Sequence, residues 1–265
     1  MRNILFQAAY WATSIFFAVM AAPLLLIPSR KPMMAWIHLY TRTMTVWMRW
    51  ITGVTVVVRG RERLPDGACI IAAKHQSWGD GIVMFSQFYD LAFVTGDHLE
   101  KFPLLGGILR KMGAIIVDNC GGAYARARLV DVELKKAQAS NRRILIYPEG
   151  HLAPVGERYR YKRGVYHMYA AYGCPATPVA TNLGLYWPQQ SWRLTPGEAV
   201  IEFLDPIPPG LEKEEFMARL EAAIEKRSLE LLGETAPAQL PPPLPDPEPH
   251  AGRAPAARAP SSHAG

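Results

Sequence analysis

The sequence predicts an α/β fold: a mixed, largely parallel sheet flanked by helices, with an N-terminal membrane-associated helical pair. Three observations carry that expectation. Short apolar or β-branched runs alternate with helical stretches from Val54 to Leu232. Several of those runs end in a polar residue on the carboxyl side, where open α/β sheets bind ligands. The first 52 residues hold a long apolar segment and a second one rich in Trp and Met.

Ile4 to Ile27 has Gln7 as its one strongly polar side chain, and about 20 apolar residues suffice to cross a bilayer core. Arg2 precedes it, and Arg30 and Lys31 come after it. A cleaved secretory signal is disfavoured because the apolar run continues through Leu24-Leu25-Leu26-Ile27. Met33 to Thr52 reads as an amphipathic helix with Trp36, Trp47 and Trp50 suited to a membrane interface. Packing on the core is the competing reading. The basic flank of Arg30, Lys31, Arg42 and Arg49 places the remainder of the chain on the cytoplasmic side of an inner membrane.

Val54 to Val58 is a β-branched strand, and Pro65-Asp66-Gly67 a turn. Further strands are expected at Ala68–Ala73, Ala92–Thr95, Ala114–Val117, Arg143–Tyr147, Thr177–Thr181 and Ala199–Phe203. Helices are expected at Ile82–Tyr89, Phe102–Lys111, Tyr124–Ala139, Gly164–Tyr172 and Glu214–Leu232. In the last of these Phe216, Leu220, Ile224 and Leu231 recur at helical spacing. Prolines and alanines dominate from Glu234 to Gly265, a composition that predicts a disordered tail. The division is therefore 1–52 anchor, 53–233 α/β domain and 234–265 tail.

Composition narrows the function. The chain has 265 residues and a formal net charge of +6, which suits an anionic membrane surface or an acidic substrate. There is no Lys/Arg run of five and no zinc-finger spacing, so nucleic acid is not an expected partner. Cys69, Cys120 and Cys174 are odd in number and lack a C-x-x-C, which speaks against a disulfide framework or a zinc knuckle.

His75 and Asp80 lie five positions apart at a strand-to-helix junction. On one helix that spacing would separate them, but across a strand end and a turn both can point at one spot. Histidine can take and return a proton near neutrality, and a carboxylate on its other nitrogen would orient it. A capping role for Asp80 in Ser77-x-x-Asp80 explains the same pattern. Asp118, Glu149 and Asn182 also lie just past apolar strands, and this recurrence favours a functional site over capping alone. No H-E-x-x-H occurs and no metal is called for; no G-x-S-x-G elbow marks a serine hydrolase.

In order and spacing these features resemble the lysophosphatidic acid acyltransferase (1-acyl-sn-glycerol-3-phosphate acyltransferase) family. The H-x-x-x-x-D motif is His75 to Asp80. The apolar strand after a glycine is Gly113 to Asn119. The F-P-E-G-T-R motif is Tyr147-Pro148-Glu149-Gly150-His151-Leu152, and the Pro-containing strand is Thr177 to Asn182.

The resemblance implies a membrane-bound enzyme that moves a fatty acyl group from acyl-CoA or acyl carrier protein to the hydroxyl of a lysolipid. No cofactor is needed beyond that co-substrate. It implies His75 as base, Asp80 as its orienter, and Glu149 and Gly150 at the acceptor. Asn119 stands where the family carries arginine, and His151-Leu152 where it carries Thr-Arg. A bidentate guanidinium for phosphate is lost at both places. Lys162 and Arg163, or Arg126 and Arg128, are the cations left to replace it, each with an ordinary surface role as the alternative. The acceptor is therefore lysophosphatidic acid or another lysolipid. The reading from a different class is a membrane lipid-binding protein without catalysis.

Overall fold

β-Branched side chains favour a pleated, half-buried surface, and Val54–Arg59 (β1) forms an edge strand of a seven-stranded sheet. The computed structural model describes residues 1–102, 104–117, 123–233, 240 and 242–247. The other strands are Ile70–Ala73 (β2), Leu91–Gly96 (β3), Ile115–Val117 (β4), Arg143–Ile146 (β5), Ala176–Thr181 (β6) and Gly197–Phe203 (β7). Their order is β1-β7-β6-β2-β5-β3-β4. Among the strand pairs of the described residues only β6–β7 is antiparallel, so the sheet is mixed and largely parallel as expected.

Parallel neighbours need crossovers, and helices supply them. Those between parallel strands are Asp80–Phe85 (α3), Leu105–Met112 (α4), Ala123–Ala139 (α5) and Gly164–Tyr172 (α6). Leu183–Tyr186 (α7) joins the antiparallel β6 and β7, and Lys213–Leu231 (α8) follows the last strand and packs on β6. On one face of the sheet Ile70, Ile144, Tyr169, Phe216, Leu220 and Ile224 share a core. The other face packs Ile71, Leu145, Val83 and Phe203 against the N-terminal helices Arg2–Ala21 (α1) and Lys31–Trp47 (α2).

The two N-terminal helices lie against each other. Trp36 Nε1 donates to Phe17 O at 2.9 Å and Trp47 Nε1 to Thr13 Oγ1 at 3.1 Å. The second helix runs on through a π-helical turn, Met48–Thr52, and Gly53 closes it at φ +81°. Phe6, Met33, Met44 and Met48 are fully buried. Core packing and an exposed apolar face thus coexist in the pair: Ile4, Trp11, Ile15, Phe16, Val19 and Trp50 face outward.

Local differences have local causes. The helix expected to reach Tyr89 stops at Phe85, because the Ser86 hydroxyl turns back to Val83 O and Gln87 N–H bonds Met84 O. The Phe102–Lys111 helix instead spans Leu105–Met112 after a 3-10 turn at Asp97–Lys101. The four-residue α7 has too few residues to show a period. The expected tail at 234–265 falls mostly outside the described residues, but within it Leu244 N–H donates to Arg158 O at 2.8 Å.

Candidate active site

The strand β2 is buried along its whole length and delivers Lys74 and His75 to the carboxyl edge of the sheet. There the chain turns through Gln76-Ser77-Trp78-Gly79 into α3. Asp80 N–H bonds Ser77 O at 3.2 Å, and the Ser77 hydroxyl accepts from Gly79 N–H at 3.0 Å. Gly79 is required by space: a Cβ there would lie 2.6 Å from the Trp187 ring.

This turn brings the expected pair together. His75 Nδ1 is 2.9 Å from Asp80 Oδ2. The same oxygen accepts from the backbone N–H groups of Gln76 at 2.7 Å and Ser77 at 2.8 Å. Asp80 therefore does both things the sequence left open, holding the turn and holding the ring. The Asp80 side chain is 2% exposed, whereas that of His75 is 22% exposed. An ionised carboxylate can only accept, so Nδ1 carries the ring proton and Nε2 presents its lone pair.

β5 lies beside β2 and ends in the third motif. Tyr147 stacks on His75 with ring centroids 4.0 Å apart and planes 14° from parallel. Burial, and next the charge of Asp80, hold the Tyr147 phenol well above its ordinary pKa, so it stays a neutral hydroxyl. Gly150 sits at φ +71°, a conformation that suits glycine. Beyond it, Ala153 N–H donates to His75 O at 2.7 Å, tying this loop to the histidine backbone.

Glu149, expected at the acceptor, is fully buried. Its oxygens lie 3.1 and 3.2 Å from Lys74 Nζ, and Tyr159 N–H donates to one of them at 2.8 Å. Burial raises the Glu149 carboxyl to about 7, with Glu225 adding to the rise and Lys74 opposing it. Lys74 is the functional-edge residue that motif reading missed. Its signal was a lysine closing an otherwise apolar strand, one position before His75.

Lys162 reaches the third motif: its N–H donates to Pro148 O at 2.8 Å and its stem lies over Gly150. Its ammonium pairs with Asp246 at 2.7 Å. Arg163 opens α6 and is exposed. Asn119 lies outside the described residues, as do Asp118 and the side chains of Arg126 and Arg128. Asn182 serves the fold: it accepts from Val200 N–H at 2.7 Å and donates to Leu231 O at 3.1 Å.

Residues 55–182 match the family described as Acyltransferase. A 1-acyl-sn-glycerol-3-phosphate acyltransferase from Pseudomonas aeruginosa is 30% identical over 244 residues, covering 88% of this chain and 90% of that protein. One from Limnanthes douglasii is 24% identical over 160 residues, covering 60% of this chain and 56% of that protein. The crystal structure of the 1-acyl-sn-glycerophosphate acyltransferase from Thermotoga maritima superposes with a TM-score of 0.70 at 21% identity, over 88% of this chain and 99% of that one. With the histidine–aspartate pair at the sheet edge and this similarity along nearly the whole chain, the protein is an acyltransferase belonging to the 1-acyl-sn-glycerol-3-phosphate acyltransferase family.

Proposed function

We propose that the protein transfers a fatty acyl group from acyl-CoA or acyl carrier protein to the free hydroxyl of 1-acyl-sn-glycerol 3-phosphate, giving phosphatidic acid. The observation that carries this reading is the His75 Nδ1 to Asp80 Oδ2 contact, which leaves Nε2 available at a half-open sheet edge in a chain of this family.

In this mechanism the acceptor hydroxyl donates to His75 Nε2. The histidine takes the proton as the oxygen attacks the thioester carbonyl, and Asp80 stabilises the imidazolium. The C–O bond forms, the C–S bond breaks, and the thiolate leaves with the proton returned from the imidazolium. A thiol pKa of roughly 8.5, by analogy with cysteine, makes it a good leaving group. Gly150 allows close backbone approach of the acceptor, and Lys162 supplies positive charge beside it. Arg163 and Asn119 are the further candidates for headgroup contact.

On this reading residues 1–52 hold the 53–233 domain at a membrane, and 234–265 form its tail. Two features support this. The stretch Arg2–Leu26 has a mean hydropathy of 1.7 over its most apolar window and is long enough to cross a bilayer. Its outward face carries Trp11, Phe16 and Val19, the type of surface that enters lipid. The membrane is the cytoplasmic one, with the catalytic domain on the cytosolic face where acyl donors occur.

Another lysolipid acceptor is the second reading, favoured by Asn119 and His151-Leu152 in place of arginines. The test offers purified protein a panel of lysolipids with acyl-CoA and with acyl carrier protein, and tracks free thiol. Lysophosphatidic acid should be the best acceptor, with release dependent on His75. Faster transfer to an uncharged or esterified headgroup would replace the first reading by the second. Thiol release with water alone would overturn both.

A further inference from the structure

Between His75 and α8 lies a buried ionic cluster that the acyl-transfer steps do not use. Lys74 is 1% exposed, and its ammonium bonds two carboxylates. Besides Glu149 it reaches Glu225 of α8 at 2.9 and 3.0 Å, and it donates to Glu157 O at 2.8 Å. The Tyr161 hydroxyl donates to Glu225 at 2.7 Å. Buried ion pairs are a poor source of stability, because desolvation offsets most of their attraction. What such a cluster can supply is one defined arrangement of the elements it joins.

Those elements are informative. Lys74 precedes the histidine, Glu149 precedes Gly150, and Tyr161 precedes Lys162. The loop from 149 to 162 hangs on the cluster through Glu157 O and Tyr159 N–H, and on His75 through Ala153 N–H. Glu225 lies outside the stretch matched to the family, residues 55–182.

We propose that Lys74, Tyr161 and Glu225 are positioning residues for the acceptor side of the site, with Glu149 held by them rather than touching substrate. Helix α8 is then a working part of the enzyme, because its carboxylate fixes the lysine that fixes the Glu149–Gly150 turn. This inference rests on the acceptor being bound beside Gly150, as proposed above.

The test compares wild type, Glu225→Leu, Glu225→Gln and His75→Ala in the full chain. Leucine removes the bonds that residue 225 makes to Lys74 and Tyr161, whereas the amide keeps an acceptor oxygen and similar volume. Amide exchange is read at Ala153, Tyr159 and Lys162, and steady-state kinetics are read for acceptor and acyl donor separately. Glu225→Leu should exchange at least tenfold faster at those amides and raise the acceptor KM about tenfold, with the donor KM within twofold. Glu225→Gln should restore both. Should Glu225→Leu fail to fold, Tyr161→Phe removes only the hydroxyl and should shift exchange and acceptor KM the same way, about threefold. Unchanged exchange, or faster exchange with both KM values unmoved or moved together, would overturn the proposal. His75→Ala separates the readings: turnover surviving in it sinks the general-base assignment and leaves the acceptor-KM comparison standing. If the wild type used no lysolipid at all, the proposed function would fail, and the exchange data alone would decide whether the cluster holds the loop.

Discussion

The Tyr147 ring covers the His75 imidazole at 4.0 Å, nearly parallel to it. One face of the histidine is therefore occupied, and its edge at Nδ1 is held by Asp80. The ring has little freedom left except to present Nε2.

The stack predicts which part of Tyr147 matters. Its hydroxyl makes no hydrogen bond among the described residues, so Tyr147→Phe deletes nothing that is paired. That variant should keep kcat within about threefold. Tyr147→Leu keeps much of the volume but loses the flat face, and off-stack imidazole should cost about tenfold or more in kcat per folded molecule. Steady-state kinetics on protein of verified circular dichroism checks both.

General-base catalysis is commonly worth about 10²–10⁴-fold, so His75→Ala should lose that much in kcat while remaining folded. Asp80→Asn keeps the shape but changes the acceptor that orients the ring. It should also lose rate, and some stability, because Asp80 Oδ2 serves the N–H groups of Gln76 and Ser77. A near-normal rate in Asp80→Asn would reduce that residue to a turn-holding role.

Glu149 should make stability fall as pH rises. Its folded pKa is raised to about 7 by burial, with Glu225 adding and Lys74 opposing. An unfolded glutamate titrates near 4.3. Between those values the folded state keeps a proton that the unfolded state has lost. The stabilisation is complete below the unfolded pKa and is lost as pH climbs through about 7. At about 1.4 kcal/mol per unit the full change is of order 3–4 kcal/mol. Urea midpoints should decline from pH 5 to pH 8, and Glu149→Gln should flatten that slope.

Membrane attachment is best tested on the outer face of α1. Removing residues 1–52 would also delete Met33, Met34 and Met48 from the core they share with Val83, Met84 and Phe203, so loss of activity would be ambiguous. Trp11 and Phe16 are more than half exposed, and their ring neighbours are Tyr10, Phe17 and Trp36 of the helical pair. Trp11→Glu with Phe16→Glu should abolish sedimentation with anionic vesicles and leave transfer to detergent-dispersed acceptor within about threefold. Vesicle binding equal to wild type would overturn the anchoring role of this face.

Much of the fold was legible because strands and caps are local. The seven strand positions come from β-branched and apolar runs within one or two residues. The strand order does not, since the antiparallel β6–β7 pair and the parallel return of β7 to β1 are long-range pairings that no short window records. At the site, His75 and Asp80 were readable from spacing, and the structure joins them. Glu149 was readable as a strand-end residue but not as a buried one, because its environment is made by Lys74 from another strand and Glu225 from the last helix. Asn182 shared the same strand-end pattern yet serves Val200 and Leu231.

The sequence by itself determined the local patterns: a histidine and an aspartate across one tight turn, a Pro-Glu-Gly turn at another strand end, and an apolar segment ahead of them. These are short-range patterns, written in neighbouring residues. Only the tertiary structure decided which strand ends meet. It set β2 between β5 and β6, stacked Tyr147 on His75, and closed a lysine between carboxylates from two distant segments. Those relations depend on sheet order and helix docking, and the energy that fixes them comes from burial shared across the whole chain.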